Sequence, residues 1–340
     1  MKFREAVHSA TLLAMEADPA VFLIGVGITS PRSVWATLEG ALEKFGPDRV
    51  VEGPLAEEAL TGMCLGAAAQ GMRPILVHHR MDFVMLSINQ IVNHAAHWRS
   101  MFGGRMRMPL VIRAVVGRGW GNGPQHTASH HAMFARIPGL KTVVPADPEA
   151  AKGLFLAAVQ EDGPVIYIEH RWLHEDEASV PEGPCLTPIG KARVLREGSD
   201  VTLAAVGPMV TEAVKAADAL KESGLSAEVI DIRTLRPLDT DTLLGSAAKT
   251  GRLVVADADW GPCGISGEVI ALAAERIFDS LKASPRRVTW PDSSVPSSMA
   301  LEEQFYPGAQ EIQKAALEVC EQDRGAKLVR STVKPFEGPF

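Results

Sequence analysis

Residues 49–78 have the sequence RVVEGPLAEEALTGMCLGAAAQGMRPILVH, and this stretch decides the fold. It predicts a short apolar strand at 49–52, a Gly-Pro turn, a helix over 56–70 and a second apolar strand at 74–78. Two strands joined by a helical crossover run parallel, because the helix returns the chain to the end of the sheet where it started. Strands that are apolar almost throughout are buried on both faces. The stretch therefore predicts a parallel α/β sheet.

The same alternation of strand and helix extends in both directions along the chain. The other strands predicted before residue 170 lie at 21–26, 109–116, 141–144 and 164–169, and the other helices at 3–17, 84–102 and 148–161. A polar, turn-rich stretch follows at 173–190. Strands are then predicted at 201–206, 227–232, 253–256 and 287–289, with helices at 210–223, 240–250, 266–282 and 308–320. We predict two parallel-sheet α/β domains, at 1–175 and 191–322, joined by a linker at 176–190. Residues 323–340 form a C-terminal tail without clear periodicity.

Composition narrows the class of protein. A chain of 340 residues is long enough for two ordinary domains. The net charge of −7 argues against a nucleic-acid partner, which normally requires a basic surface. No apolar run approaches the roughly 20 residues of a membrane span, and the first residues lack a signal-peptide stretch. The four cysteines are far apart and have no zinc-site spacing. These features predict reduced structural thiols in a cytoplasmic protein.

Two glycine patterns follow predicted strands. The first, GVGITS at 25–30, is close to a dinucleotide fingerprint, but Ser30 occupies the position of the third small residue and Pro31 interrupts the helix that should follow. The second, GRGWGNGPQH at 117–126, lacks the Lys-Ser/Thr ending of a phosphate-binding P-loop. Glycine permits close approach of a backbone to a ligand, so the second loop could line a cleft, or it could be a surface connection.

Histidines and glutamates provide the candidate chemistry. His126 and His130 are four residues apart, as in a metal site on a helix, but Thr127 replaces the glutamate of the H-E-x-x-H motif. Solvated or core histidines are therefore the default interpretation. Glu57 and Glu58 lie in the first turn of a predicted helix, where acidic residues complement the helix dipole without any further function. On the residues alone, both interpretations stay open.

Taken together, these segments resemble the β subunit of thiamine-diphosphate-dependent 2-oxoacid dehydrogenases, a group that includes pyruvate, branched-chain 2-oxoacid and acetoin dehydrogenases. The resemblance extends over roughly residues 1–320, far more than one short motif. Its markers are REA at 4–6, KFG at 44–46, PLAE at 54–57, DF at 82–83, NQIVNHAA at 89–96, QH at 125–126, IPGLKTVVP at 137–145, IDIRTLRPLD at 230–239, GRLVV at 251–255 and LE at 301–302.

The resemblance implies a transketolase-like pyrimidine-binding domain followed by a transketolase C-terminal domain. It places Glu57 at the family's carboxylate position, where it would hydrogen-bond the 1′ nitrogen of the coenzyme's aminopyrimidine. Leu55 matches the apolar residue beside that ring, Phe83 the aromatic residue that packs on it, and His126 the active-site histidine. The implied reaction is decarboxylation of a 2-oxoacid with transfer of the acyl group to a lipoyl carrier.

One motif of thiamine enzymes is absent from the sequence. The Gly-Asp-Gly motif, which binds the diphosphate and magnesium, does not occur in this chain. The resemblance therefore implies an α subunit that supplies the magnesium ligands, an α2β2 heterotetramer, and an association with a lipoyl acyltransferase core. This chain itself is expected to hold no metal.

The sequence also departs from the family pattern. The stretch before Asp82 is usually an acid followed by mostly apolar residues, whereas here it is Val77-His78-His79-Arg80-Met81. Because a buried arginine needs an anionic partner, we hypothesise that His79 or Arg80 meets a substrate carboxylate, phosphate or other polar group. Arg80 could instead pair with an acid of the partner subunit. These departures leave two alternatives open: a split transketolase-like or acyloin-forming two-carbon transferase subunit, and a non-catalytic assembly partner.

Overall fold

The computed structural model describes residues 1–30, 32–119 and 121–322, so the predicted C-terminal tail at 323–340 lies outside the described residues. The chain divides into two compact units. The first comprises Met1–Arg118, Gln125–Gly190 and Thr234–Pro237, and the second comprises Gly119–Pro124, Lys191–Arg233 and the described residues from Leu238 onward.

The strands form two sheets. They are β1 (Val21–Gly25), β2 (Val50–Glu52), β3 (Arg73–His78), β4 (Val111–Val116), β5 (Lys141–Val143), β6 (Val165–His170), β7 (Arg193–Arg196), β8 (Val201–Ala205), β9 (Ala227–Asp231), β10 (Thr234–Arg236), β11 (Leu253–Trp260) and β12 (Arg286–Trp290). The first sheet has the order β10-β5-β6-β4-β3-β1-β2, and the second has the order β12-β11-β8-β9-β7. Neighbouring strands are parallel except at one edge of each sheet. In the first sheet, β10 pairs antiparallel with β5, and in the second, β7 pairs antiparallel with β9. The predicted fold class is confirmed, with an antiparallel edge strand added to each sheet.

The helices lie between the strands. They are α1 (Phe3–Ala17), α2 (Ser33–Ala36), α3 (Ala41–Phe45), α4 (Glu57–Ala69), α5 (Trp98–Met101), α6 (His131–Ala135), α7 (Pro148–Gln160), α8 (Met209–Glu222), α9 (Thr240–Thr250), α10 (Ile265–Arg276), α11 (Met299–Phe305) and α12 (Ala309–Gln322). Short 3-10 segments lie at Arg171–Leu173 and Phe278–Ser280.

The core of the first unit forms where α1 and α7 pack together over the sheet. Leu23 of β1, Ile75 of β3 and Val115 of β4 are buried there, as their uninterrupted apolar sequences predict. Tyr167 of β6 is also fully buried, and its hydroxyl donates to the carbonyl of Ala151 in α7 at 2.9 Å. This bond satisfies the one polar group that the ring brings into the core.

In the second unit, α8 and α12 pack against each other, and α9 and α10 also pack together. An aromatic cluster lies at the carboxyl ends of β11 and β12. Trp290 contacts Trp260, Phe305 and Tyr306, with ring centroids 5.2, 5.8 and 5.4 Å away.

The prediction of one regular helix at 84–102 is wrong, because the hydrogen-bond pattern changes along this segment. A 3-10 segment (Met81–Ser87) is followed by a π-helical segment (Asn89–Ala95) and then by α5. Both segments pack against α4, where the hydroxyl oxygens of Thr61 and buried Ser87 are hydrogen-bonded at 2.8 Å. A π-helical turn inside a longer helix often marks a functional region.

Residues 176–190, predicted as a linker, pack on the first unit. Lys152 donates to the carbonyl of Pro181 at 3.0 Å, and Thr187 lies against Gly153. A Cβ on Gly153 would lie 2.2 Å from the Thr187 hydroxyl oxygen, so only glycine allows this contact.

Candidate active site

The candidate residues of the first unit lie at the carboxyl ends of adjacent parallel strands. The strands β6, β4, β3 and β1 are neighbours in this order. They are followed by Arg171, Gly117, the pair His79-Arg80 and Val26. In open parallel sheets, ligands bind outside the carboxyl ends of the strands, so this edge is where a site is expected.

Glu57 begins α4, directly after β2 and its turn. Its backbone carbonyl accepts from the Thr61 hydroxyl at 2.7 Å. The adjacent Glu58 accepts from the Gln90 side chain at 2.9 Å. Among the described residues, no group hydrogen-bonds the Glu57 carboxylate, so its acceptor positions stay available to a ligand or a partner.

Apolar side chains lie uncovered near this helix start. Leu55, two residues before Glu57, is 83% exposed. Phe83 is 37% exposed and belongs to the 3-10 segment that packs against α4. Its ring meets that of His126 edge to face, with centroids 5.5 Å apart. Exposed apolar residues beside a free carboxylate suit a flat ring that has a polar edge.

Asp82 and Gly117 position the segment that contains His126. Asp82 Oδ1 accepts from the backbone N–H of Ala128 at 3.2 Å. Burial raises the pKa of Asp82, although this bond and the nearby His130 and His126 oppose the shift. A Cβ on Gly117 would lie 2.3 Å from the carbonyl oxygen of His126, so the backbone at His126 can approach only because residue 117 is glycine.

The His78-His79-Arg80 stretch lies at the end of β3. Burial lowers the pKa of His78 to about 4, and the neighbouring His79 adds to this shift. Burial also lowers the pKa of His79, and the charges of Arg113 and Arg80 lower it further. Both rings are therefore neutral near pH 7. The Arg80 side chain donates to the carbonyl of His79 at 3.0 Å.

The glycine loop after β1 binds a side chain of the protein itself. Glu52 accepts hydrogen bonds from the backbone N–H groups of Gly27 and Thr29 and from the Thr29 hydroxyl, the last at 2.7 Å. Burial would raise the pKa of Glu52, but these hydrogen bonds lower it below its usual value. The loop amides hold a carboxylate, which opposes the dinucleotide interpretation.

Arg113 and Glu169 form a buried ion pair on the neighbouring strands β4 and β6. Both side chains are fully buried, and the guanidinium contacts the carboxylate twice, at 2.7 and 3.2 Å. Arg113 also donates to the Thr37 hydroxyl at 2.6 Å. Burial would raise the pKa of Glu169, but Arg113 and His174 hold it at about 2.

The histidines do not gather around a metal position. His131 Nδ1 lies 2.7 Å from the hydroxyl of buried Ser129. Within residues 1–30, 32–119 and 121–322, no three acidic, histidine or cysteine side chains come together as metal ligands. The four cysteines form no disulfide.

Three residues near the predicted ones were missed by the sequence analysis. The guanidinium groups of Arg80 and Arg171 both lie over the Trp35 ring, and the charge of Arg80 acts on Arg171. Asp82 lies in the sequence between the candidate residues Arg80 and Phe83. Arg171 had a usable signal, because it directly follows a buried parallel strand. Trp35 had none, since its segment departs from regular helix, with positive φ at residues 34–36.

Comparison with known proteins places this architecture in a class. Residues 1–175 match the model of the transketolase pyrimidine-binding domain, and residues 190–312 match the model of the transketolase C-terminal domain. A split-gene transketolase, described as an inactive β4 tetramer, has the same fold with a TM-score of 0.78 at 23% identity, covering 95% of this chain and 99% of that one.

The relatives found by sequence indicate a narrower class of protein than the domain models do. The β subunit of acetoin:2,6-dichlorophenolindophenol oxidoreductase from Cupriavidus necator is 40% identical, covering 93% of this chain and 96% of its own length. The mitochondrial β-2 subunit of the pyruvate dehydrogenase E1 component from Oryza sativa subsp. japonica is 38% identical, covering 94% and 86%. The chain belongs to the transketolase-like family that contains the β subunits of thiamine-diphosphate-dependent 2-oxoacid dehydrogenases.

The residues of this chain fit one end of thiamine diphosphate. The free Glu57 carboxylate and the exposed apolar side chains of Leu55 and Phe83 suit an aminopyrimidine, which has a flat ring and a polar edge. For the diphosphate and its magnesium ion, the described part of the chain offers no cluster of metal ligands.

Among the helices that the structure describes, none combines the length and the apolar character of a membrane-spanning segment.

Proposed function

We propose that this chain is the β subunit of an enzyme that decarboxylates a 2-oxoacid and passes the acyl group to a lipoyl carrier. The named relatives favour this function over the split transketolase-like and non-catalytic alternatives. The observation that supports a catalytic role most directly is the unpartnered carboxylate of Glu57 at the start of α4.

Glu57 is the residue that activates the coenzyme. When bound, thiamine diphosphate supplies a thiazolium carbon that attacks the 2-oxo carbon and a ring that accepts the electrons released with carbon dioxide. The protonated Glu57 carboxyl group donates a hydrogen bond to the pyrimidine 1′ nitrogen and shares its proton there. A carboxyl group holds such a proton near neutral pH when its surroundings become apolar, because desolvation disfavours its charged form.

The neighbouring side chains position the pyrimidine ring and move protons. Leu55 and Phe83 pack against the pyrimidine ring, and their apolar surfaces exclude water from Glu57. His126, held against the Phe83 ring, moves protons at the substrate and at the acyl acceptor. His79 or Arg80 meets a polar group of the substrate.

The site is completed by a second chain. An α subunit supplies the diphosphate and magnesium ligands, and the enzyme is an α2β2 heterotetramer that serves a lipoyl acyltransferase core. The relatives support this assembly because their names describe them as β subunits. The proposal includes a pyrimidine-binding domain at 1–175, a linker at 176–190, a C-terminal domain at 191–322 and a cytoplasmic location.

The adjacent glutamates give a matched pair of test variants. We expect Glu57→Gln to lower 2-oxoacid-dependent dye reduction by the αβ complex by about 100-fold or more, the range of a lost proton-transfer group. Glu58→Gln, which removes a charge but keeps an oxygen that can accept from Gln90, should retain most activity. Equal activity of the two variants would show that Glu57 has no catalytic role.

A further inference from the structure

Two guanidinium groups converge on one aromatic ring in the first unit. The guanidinium carbons of Arg80 and Arg171 lie 4.9 and 4.6 Å from the ring centroid of Trp35. Each contact is a favourable cation–π interaction, but the two cations repel each other. Burial, and then the charge of Arg80, lower the pKa of Arg171 to about 10. The Trp35 ring therefore holds two positively charged groups close together.

Two of the three acidic side chains in this region, Glu52 and Glu169, are engaged elsewhere. Glu52 accepts the hydrogen bonds of the loop after β1, and Glu169 is paired with Arg113. Asp82 accepts from Ala128 through Oδ1 and interacts with Arg80 through its charge, while its Oδ2 is buried without a hydrogen-bond partner. Within the described part of the chain, Arg80 forms no ion pair with any of these acids.

Several side-chain nitrogen atoms of the His78-His79-Arg80 stretch lack a hydrogen-bond partner. Arg80 Nε, His79 Nε2 and His78 Nε2 are all buried without a partner in the structure. A buried charged donor that lacks an acceptor destabilises the folded chain. An anion beside Arg80 would accept from its Nε, and guanidinium groups suit the paired oxygens of a carboxylate or a phosphate.

This cluster adjoins the segment that contains His126. A Cβ on Gly117 would lie 3.3 Å from Arg80 Nε and 2.3 Å from the carbonyl oxygen of His126. Gly117 thus separates the Arg80 side chain from the His126 backbone by little more than one atom layer. Arg80 and Arg171 also follow β3 and β6 at the carboxyl edge of the sheet, on which the proposed active site lies.

We propose that Arg80 and Arg171, held on the Trp35 ring, bind an anionic group at the far end of the substrate. The substrate class is then a 2-oxoacid with a second carboxylate or a phosphonate or phosphate group, rather than one with a purely apolar side chain. This inference rests on the proposed function. The neutral His79 ring contributes a hydrogen bond beside the two charges.

The test compares substrates on the αβ complex. We measure kcat/KM for 2-oxobutyrate, 2-oxoglutarate and 2-oxo-4-phosphonobutyrate, which differ in the group at the far end. The variants are Arg80→Gln, Arg80→Lys and Arg171→Gln, with Arg105→Gln as the control because Arg105 is an exposed arginine of the same unit. We expect the native complex to prefer an anionic substrate, and which one it prefers distinguishes a carboxylate site from a phosphonate site.

The expected result is selective. Arg80→Gln and Arg171→Gln should each lower the ratio of kcat/KM for the preferred anionic substrate to kcat/KM for 2-oxobutyrate by about tenfold or more. Arg80→Lys, which keeps the charge, should lose less. A native preference for 2-oxobutyrate, or an Arg80→Gln profile that matches Arg105→Gln, would overturn the proposal.

A binding measurement separates this inference from the proposed function. Calorimetry of the αβ complex with glutarate, butyrate and phosphate needs no turnover. Glutarate or phosphate binding that weakens about tenfold in Arg80→Gln supports the anion site even if no 2-oxoacid is decarboxylated. Decarboxylation of 2-oxobutyrate without Arg80-dependent anion binding upholds the proposed function and refutes the anion site.

Discussion

Phe83 and His126 meet edge to face, with their ring centroids 5.5 Å apart and their planes at 87°. The positive edge of one ring faces the negative face of the other, which is a favourable arrangement for two aromatic groups. Because Phe83 is still 37% exposed, one part of its ring supports His126 while another part stays available to a ligand. Under the proposed function, this one side chain sets the positions of both the coenzyme ring and the histidine proposed to transfer protons.

Replacing Phe83 with alanine should weaken coenzyme binding. An aromatic pair contributes about 0.5–1.5 kcal/mol beyond its buried area, so we expect the KM for thiamine diphosphate to rise by roughly two- to tenfold. The control is Phe102→Ala, because Phe102 is 45% exposed and packs on Trp98. Coenzyme titration of the reconstituted αβ complex measures the effect. The same KM in both variants would contradict a role for Phe83 at the coenzyme.

Replacing Gly117 with alanine should displace His126. The new Cβ would lie 2.3 Å from the His126 carbonyl oxygen, a contact that the backbone must move to relieve. Misplacement of a catalytic group by about 1 Å can lower the rate by roughly 100-fold, so we expect a large loss of kcat. Gly245→Ala is the control, since a Cβ there meets nothing within 4 Å and lies in α9. Unchanged kcat in Gly117→Ala would show that the segment adapts.

The fold could largely be predicted because its signals are local. The predicted helix at 56–70 is α4 at Glu57–Ala69, and the predicted strand at 74–78 is β3 at Arg73–His78. Apolar periodicity and the Gly-Pro turn are sufficient for both elements. The hydrogen-bond pattern of residues 81–101 was not predictable in this way, because the bond between Thr61 and Ser87 depends on packing between two helices.

The site could be predicted only in part, for the same reason. Glu57 and Glu58 have identical local signals, and the family resemblance was needed to choose between them. The structure adds a difference, because Gln90 binds Glu58 and leaves Glu57 free. The contact between Trp35 and Arg171 joins residues that are far apart in sequence. No periodicity or spacing encodes such a contact.

His78 should make stability fall as the pH is lowered. Its folded pKa is about 4, whereas the unfolded side chain binds a proton near 6.5. The unfolded state therefore gains a proton first, and stability is lost as the pH falls from about 6.5 to about 4, at up to about 1.4 kcal/mol per pH unit. His78→Phe removes the contribution of His78 and makes the fall in stability shallower, while buried His170, whose pKa burial lowers to about 3, keeps its own contribution. The control His94→Gln, at an exposed position, leaves the pH dependence unchanged. Urea unfolding at pH 7 and pH 5 gives the change in the free energy of unfolding per pH unit. An equal change for His78→Phe and the native chain would refute the prediction.

The Arg113–Glu169 pair should give a second loss of stability at lower pH. Arg113 and His174 hold the folded pKa of Glu169 at about 2, against 4.5 for an ordinary glutamate. A depressed carboxyl pKa stabilises the folded state above pH 4.5, and this contribution is lost as the pH falls towards about 2. Glu169→Gln leaves Arg113 buried and uncompensated, so we expect it to cost about 3–5 kcal/mol near pH 7.

The double variant Arg113→Met/Glu169→Leu separates charge pairing from packing. Removing both charges avoids the desolvation of either ion, and apolar replacement of a buried pair is often neutral or stabilising. We therefore expect the double variant to recover most of the stability lost in Glu169→Gln and to lack the loss between pH 4.5 and 2. Urea unfolding across that range gives both quantities. A double variant as unstable as Glu169→Gln would mean that the hydrogen bonds of Arg113, including the one to Thr37 that Glu169→Gln keeps, stabilise the sheet as much as the removal of the uncompensated charge does.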